Sequence, residues 1–364
     1  MKIGDIIRAI ETLAPVSYQE SYDNSGLYCG SAGWEASGAL FTLDVTEAVV
    51  DEAIALGYNL IIAHHPLIFK PLKRITGGND QERSIVKAIK NDIAIYAAHT
   101  NLDNAYGGVN AMICRKLGLK NCSILQPAAD MLRKLVVFVP ESHAEAVRTA
   151  IFNAGAGHIG DYDSCSYNLE GFGTFRAQVG TNPFVGAIGS IHKEPEVRIE
   201  TVCESHALGR IVAAMVEVHP YEEVAWDAYP LTNENPRVGS GMVGEFEEAM
   251  DEMDFLKLLK SVFGTGCVKY SPLTGRKIKK VALCGGSGNF LIHQAMAKKA
   301  DAFVTGELKY HDYFLAEGKI LLAEAGHYET EQFTKELLAA IVKEKFTTFA
   351  TRISGIQSNP VNYL

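Results

Sequence analysis

No C-x-x-C pair occurs anywhere in the chain, and its seven cysteines are scattered and odd in number. That is poor material for a disulfide framework or a zinc knuckle, and it suits reduced, mostly buried thiols. No apolar run approaches the ~20 residues of a membrane-spanning helix. No cluster of Lys and Arg stands out, and the formal charge is −9, which argues against a general nucleic-acid binder. The opening stretch MKIGDIIRAIETLAP has no apolar core or small-residue cleavage site and reads as an amphipathic helix rather than a signal peptide. The expectation is a cytoplasmic protein with neither membrane nor nucleic acid as partner.

What is present is the texture of a globular protein. The chain has 364 residues, 47% of them hydrophobic and 21% charged, enough for about two domains. Residues 1–130 alternate strand and helix patterns: GALFTLDVT, EAVVDEAIALG, NLIIA, RSIVKAIKND and IAIYAA follow in turn. Units of this length favour parallel strands joined by right-handed crossovers. From 131 to 231 the texture changes. LRKLVVFVP, a helix pattern, a pair of strands around a glycine turn in GDYDSCSYNLEGFGTFR, then EVRIETVC, a second helix and EEVAWDAYPL give roughly a β-α-β-β-α-β order, the ferredoxin-like plan. Turn-rich QPAAD and TNENPRVGSG mark its edges. Over 232–364 the α/β texture returns. The economical reading is one discontinuous α/β domain interrupted by an inserted α+β domain.

Three apolar runs of the α/β parts end alike. NLIIA runs into His64 and His65, IAIYAA into HTNLD with His99 and Asp103, and KILLAEAG into HYETE with His327 and Glu331. In parallel α/β sheets ligands gather beyond the carboxyl ends of strands. Imidazole suits Zn, Fe, Mn or Co, and a carboxylate can bridge two ions. His327 and Glu331 fall one helical turn apart and can share a face. Asp103 is expected in a short loop. The side chains of His64 and His65 point apart on an extended chain, so two ions would let each serve a different one. Each feature alone has a plainer reading: a surface histidine, a solvated i, i+4 pair, an accidental His-His-Pro. The repetition at one sheet edge favours a metal site. His99 is read as a residue that orients a ligand or as a cap, and Asn101 as a turn residue or a substrate contact.

These residues carry a resemblance. YDNSGL, LDVT, IIAHHPLIF, HTNLD, GGSG, DAFVTGELKYHD and GHYETE occur in this order, and together they resemble the GTP cyclohydrolase I type 2 homolog, or Nif-three-like, family. The inserted segment, through HPYEEVAWDAYPL, is similar to the PII/CutA-like insert of longer family members. The resemblance implies a toroidal homohexamer with two divalent metal ions per chain, held by His64, His65, Asp103, His327 and Glu331. It also implies hydrolytic opening of the guanine imidazole ring of GTP with release of formate. His99 or Glu329 would move protons in such a reaction. Other dimetal hydrolases (phosphatase, phosphodiesterase, peptidase) and a non-catalytic metal-binding or regulatory protein are the alternatives.

Four further residues are candidates around the nucleotide. LCGGSGNF sets glycines between a strand and a helix, where backbone N–H groups can cradle phosphate. Ser287 and Gly288 are the expected contacts, with a tight turn as the plain alternative. In TGELKYHD, Glu307 is expected to line the same cavity, and Lys309 is a candidate for a triphosphate or a surface lysine. Asp23 and Asn24 fit the cavity mouth or a β-turn. In the insert, His219, Glu222 and Glu223 look ligand-like, but HPYEEV joins a helix to a strand and strand alternation accounts for their charges.

Overall fold

The computed structural model describes residues 1–364. The strands in chain order are β1 (Gly26–Cys29), β2 (Ala39–Thr42), β3 (Leu60–Ala63), β4 (Ala94–Ala97), β5 (Lys120–Ala128), β6 (Leu132–Pro140), β7 (Ser166–Arg176), β8 (Ile191–Glu204), β9 (Trp226–Pro230), β10 (Asn235–Met250), β11 (Lys269–Tyr270), β12 (Ile278–Cys284), β13 (Ala302–Thr305), β14 (Leu321–Glu324) and β15 (Thr351–Ile353). They form a mixed α/β protein with three sheets, ordered β1-β4-β3-β2-β15, β11-β14-β13-β12-β10-β5 and β7-β8-β6-β9. No helix is long and apolar enough to cross a membrane.

Residues 1–127 and 237–364 pack as one compact unit. Within it the two sequence halves exchange strands: β15, from the far end of the chain, pairs in parallel with β2, while β5 of the first half joins the second sheet. Strands β2, β3 and β4 are parallel and four residues long, and all four residues of each are buried. That is the continuous apolar reading expected of parallel strands covered on both faces. Helices Ile3–Leu13, Val109–Leu117, Glu252–Phe263 and Thr334–Lys345 contribute Ile6, Ile10, Ile113, Phe255, Leu259 and Leu338 to a core that also holds Phe41, Ile62 and Tyr96 of the first sheet and Val281 and Val304 of the second. Glu47–Leu56 and Asp80–Lys90 cover the other face of the first sheet. Both have an N-cap side chain on the backbone, Thr46 on Val49 and Asn79 on Glu82, as helix starts require.

Residues 128–236 form the other unit. Its order is β6, helix Ala144–Asn153, β7, β8, helix Leu208–Val218, β9, and its pairings are antiparallel throughout. With β6 and β8 central, this is the ferredoxin-like strand order. The glycine turn expected within 160–176 is not there. Gly171 and Gly173 lie inside β7, which pairs with β8 from Ser166↔Thr201 to Arg176↔Ile191. A Cβ at Gly173 would meet the Glu196 carboxylate at 2.2 Å, so the glycine serves close cross-strand approach rather than a turn.

Candidate metal centre

The carboxyl ends of parallel strands from both sheets supply the site. β2 ends before Asp44, β3 before His64 and His65, β4 before His99, β13 before Glu307, and β14 before His327. In register, Thr42, Ala63 and Ala97 are level, as are Cys284, Thr305 and Glu324, so the residues that follow emerge at one height. Asp103 lies not in a loop but in the short helix Thr100–Asn104, started by bonds from Leu102 N–H (2.8 Å) and Asp103 N–H (3.1 Å) to the His99 carbonyl. His327 and Glu331 bound another five-residue helix.

Three groups of metal-capable side chains result: His64 with Asp103 and Glu331, His65 with His327 and Glu331, and His64 with His65 and His99. Glu331 belongs to two of them, and its oxygens divide the work. Oε2 lies 2.9 Å from His65 Nε2 and 3.1 Å from His327 Nε2. Oε1 lies 3.8 Å from His64 Nε2, which is 3.6 Å from Asp103 Oδ1. A glycine makes this approach possible. Gly286 has φ +61°, and a Cβ there would sit 2.2 Å from Glu331 Oε1.

Each imidazole is oriented through its outer nitrogen. Nδ1 of His64 donates to the Ala98 carbonyl at 2.8 Å, Nδ1 of His65 to Asp44 Oδ1 at 2.7 Å, and Nδ1 of His327 to Glu307 Oε1 at 3.0 Å. That tautomer leaves Nε2 of all three facing the cluster, the arrangement by which carboxylates and carbonyls set metal-binding histidines. His99 is held the same way, by Asp23 Oδ1 at 2.8 Å. The Asp23 side chain is buried and also accepts from the Thr100 N–H and hydroxyl.

The electrostatics describe a site short of positive charge. Burial alone would raise the Glu331 carboxyl, but hydrogen bonds from His327 and His65, with the His64 ring nearby, hold it well below the usual carboxylate range. Burial opposes a charged His65, yet bonds to Asp44 and Glu331 push it up to about 10. His327, against the same burial, is pushed up to about 9 by Glu331. Burial raises Asp103 to about 7, with His64 opposing and Glu331 adding. Burial likewise works against ionised Asp23 and Asp44, and hydrogen bonds led by His99 and His65 respectively overcome it. Two atoms remain unsatisfied: His64 Nε2 and Asp103 Oδ1 are buried without a hydrogen-bond partner. A buried lone pair facing a buried carboxylate oxygen lacks a donor between them, and a cation supplies one. Nitrogen and oxygen donors without thiolate fit a borderline or hard divalent ion.

The remaining candidates fall into different places. Asn101 is buried and spent on the fold, accepting from His99 N–H at 2.9 Å and donating to the Ala14 carbonyl at 2.8 Å, so it is a buttress rather than a substrate contact. The glycine loop spends its donors internally: Gly286 N–H on Thr330 at 3.1 Å and Gly288 N–H on Thr305 at 2.9 Å. Gly288 therefore offers no phosphate cradle, while Ser287 is exposed. Lys309 is exposed at the start of a 3-10 turn. Glu329 is buried, and its Oε1 accepts from Asn359 and Tyr363, both at 3.0 Å. In the insert, His219 bonds the Phe138 carbonyl and Glu222 the Asn182 N–H. Asp44 was missed as a site residue, though it follows a strand end just as the histidines do. The residues at 354–363 that contact the site carry no local signal.

A cavity of about 440 Å³ adjoins the cluster, lined by Asp44, His65, Glu307, His327 and Glu329 among others. Comparison with known proteins gives a consistent outcome. The family model described as Duf34/NIF3 (NGG1p interacting factor 3) matches residues 1–360. The chain is 40% identical to a protein of Halalkalibacterium halodurans named GTP cyclohydrolase 1 type 2 homolog, over the full length of both. It is 39% identical to the Bacillus subtilis protein of that name, over 99% of this chain and 98% of the relative. Among solved structures, a Bacillus cereus protein related to NIF3 superposes with TM-score 0.87 at 40% identity, covering 100% of this chain and 99% of that one.

Proposed function

Given that the chain belongs to the Duf34/NIF3 (NGG1p interacting factor 3) family, we propose that it is a hydrolase dependent on two divalent metal ions. The observation that carries this is the division of Glu331, whose two oxygens face two separate sets of donors. On this reading His64 and Asp103 would help hold one ion and His65 and His327 the other, with Glu331 offering an oxygen to each set. Divalent ions held there would supply Lewis acidity and lower the pKa of water near neutral pH. The chain's own residues do the rest. Asp44 and Glu307 fix the tautomers of His65 and His327. His99, with Nδ1 tied to Asp23, has Nε2 available to take or return a proton.

The substrate this reading favours is a purine nucleotide such as GTP, because relatives at this identity bear the name GTP cyclohydrolase 1 type 2 homolog. With Gly288 committed to Thr305, phosphate contact falls to the exposed Ser287 and Lys309, and Glu307, which lines the cavity, is the candidate base. Residues 131–231 form a PII/CutA-like insertion, and the chain assembles as the homohexamer its sequence resemblance implies. The test is formate release from GTP by protein loaded in turn with Zn²⁺, Mn²⁺, Fe²⁺ or Co²⁺, beside Asp103→Ala. Formate from the native chain and none from the variant is the expected result. Two bound ions with no formate under any metal would refute the cyclohydrolase reading and leave the search to other hydrolytic substrates.

A further inference from the structure

The segment after β15 is anchored at Glu52 and then bonded to residues of the site. Ser354 Oγ and Gly355 N–H donate to Glu52, and Gln357 accepts from Tyr328 OH at 3.0 Å. Ser358 Oγ donates to Asp44 Oδ2 at 2.7 Å. Asn359 and Tyr363 donate to Glu329, which sits between His327 and Glu331 on their helix. Asn359 and Tyr363 also line the 440 Å³ cavity. The Asp44 carboxylate is thus held from both sides: one oxygen takes the His65 Nδ1–H at 2.7 Å and the other takes Ser358.

We propose that the C-terminal segment is a working part of the centre, with Ser358 a positioning residue for His65 that acts through Asp44. A carboxylate with one oxygen unbonded can rotate, and the imidazole it orients rotates with it. With both oxygens bonded, the plane of the carboxylate and the direction of His65 Nε2 are fixed. His64 has no such dependence, because its Nδ1 is held by a backbone carbonyl. Ser358 therefore acts on one half of the centre and not the other. The inference rests on the metal reading of the site, and it goes beyond that reading by making residues far outside the strand ends answerable for one ion's affinity.

The experiment uses Co²⁺, whose visible absorption reports coordination geometry, titrated into the full-length native chain, Ser358→Ala and Ser358→Thr. Groups directly behind a metal ligand are worth about 10–100-fold in affinity. Ser358 is one bond further out, so Ser358→Ala is expected to weaken one of two binding steps by roughly 3- to 10-fold and to alter that step's spectrum. Ser358→Thr, which keeps the hydroxyl, restores both. A Ser358→Ala protein whose two steps and spectra match the native ones overturns the proposal. Equal weakening of both steps with unchanged spectra overturns it too, since that is what general loosening of the fold would give. A native chain that takes up no Co²⁺, Zn²⁺ or Mn²⁺ would instead sink the metal reading, and this inference with it.

Discussion

Glu331 stands out among the site's residues because three imidazoles converge on one nearly inaccessible carboxylate. Glu331→Gln keeps the shape and removes the charge. It is expected to abolish tight uptake of at least one ion, with affinity falling about 100-fold, toward the upper end for lost ligand support; calorimetric titration and metal analysis after gel filtration would read it. The protonation pattern gives a second expectation. In the metal-free chain His65 and His327 titrate near 10 and 9, so at pH 7.5 each carries a proton that must leave before Nε2 can bind a metal. Metal uptake should release close to two protons per chain, and affinity should climb from pH 6 to pH 9, with Asp103 at about 7 steepening the lower part. Titrations in buffers of different ionisation enthalpy count the protons. Uptake independent of pH would contradict this assignment. The histidines were legible in the sequence because each follows an apolar run that could only be a buried strand. Asp44 follows the same kind of run but in front of the helix start Thr46–Glu47, where an acidic residue has an ordinary explanation. Ser358 was not legible at all, since its partner is 314 residues away.

At the level of elements, the site depends on loops that let backbone come close. Gly286, with its positive φ and its neighbour Glu331 Oε1, tolerates no side chain without displacing the carboxylate. Gly286→Ala should cost about 1 kcal/mol through the left-handed backbone alone, and more through the clash. The expected result is a lowered midpoint in denaturant melts together with metal uptake reduced by more than tenfold; an unaffected metal affinity would show that Glu331 can move aside at no cost. The parallel strands and long helices were evident from periodicity. The Thr100–Asn104 helix was not, because five residues carry too little pattern to separate helix from loop. Nor was the length of β7, whose internal glycines look like a turn until the Glu196 side chain opposite is seen.

On the scale of the whole molecule, the two compact units have separate cores, and the centre lies entirely in one of them. The sequence marked the change of texture near 131 and 231 because both edges are turn-rich. Next to the insertion, β5 and β10 are neighbours in a sheet: Gly244 lies against Lys120 and Gly241 against Leu125, so the strands run in opposite directions and the chain leaves and re-enters at adjacent points. Deleting residues 131–231 and bridging the gap with a short Gly/Ser turn should leave two ions bound with affinities within about threefold, the scatter expected when distant sites are independent. Loss of metal from a folded deletion variant would mean that the insert supports the centre directly.

The exchange of strands between the two sequence halves also sets an order of events when the chain is made. Synthesis is vectorial, and early segments generally fold as they emerge, yet the first sheet here lacks its edge strand until Thr351–Ile353 arrives. His65 waits 266 residues for Glu331. Such long separations make closure slow, so the metal centre is among the last features to form. Until then its histidines stand near the ends of an incomplete sheet, able to pick up ions with the wrong partners. On the proposed reading, metal loading would be an event at the end of folding and would not serve as its nucleus.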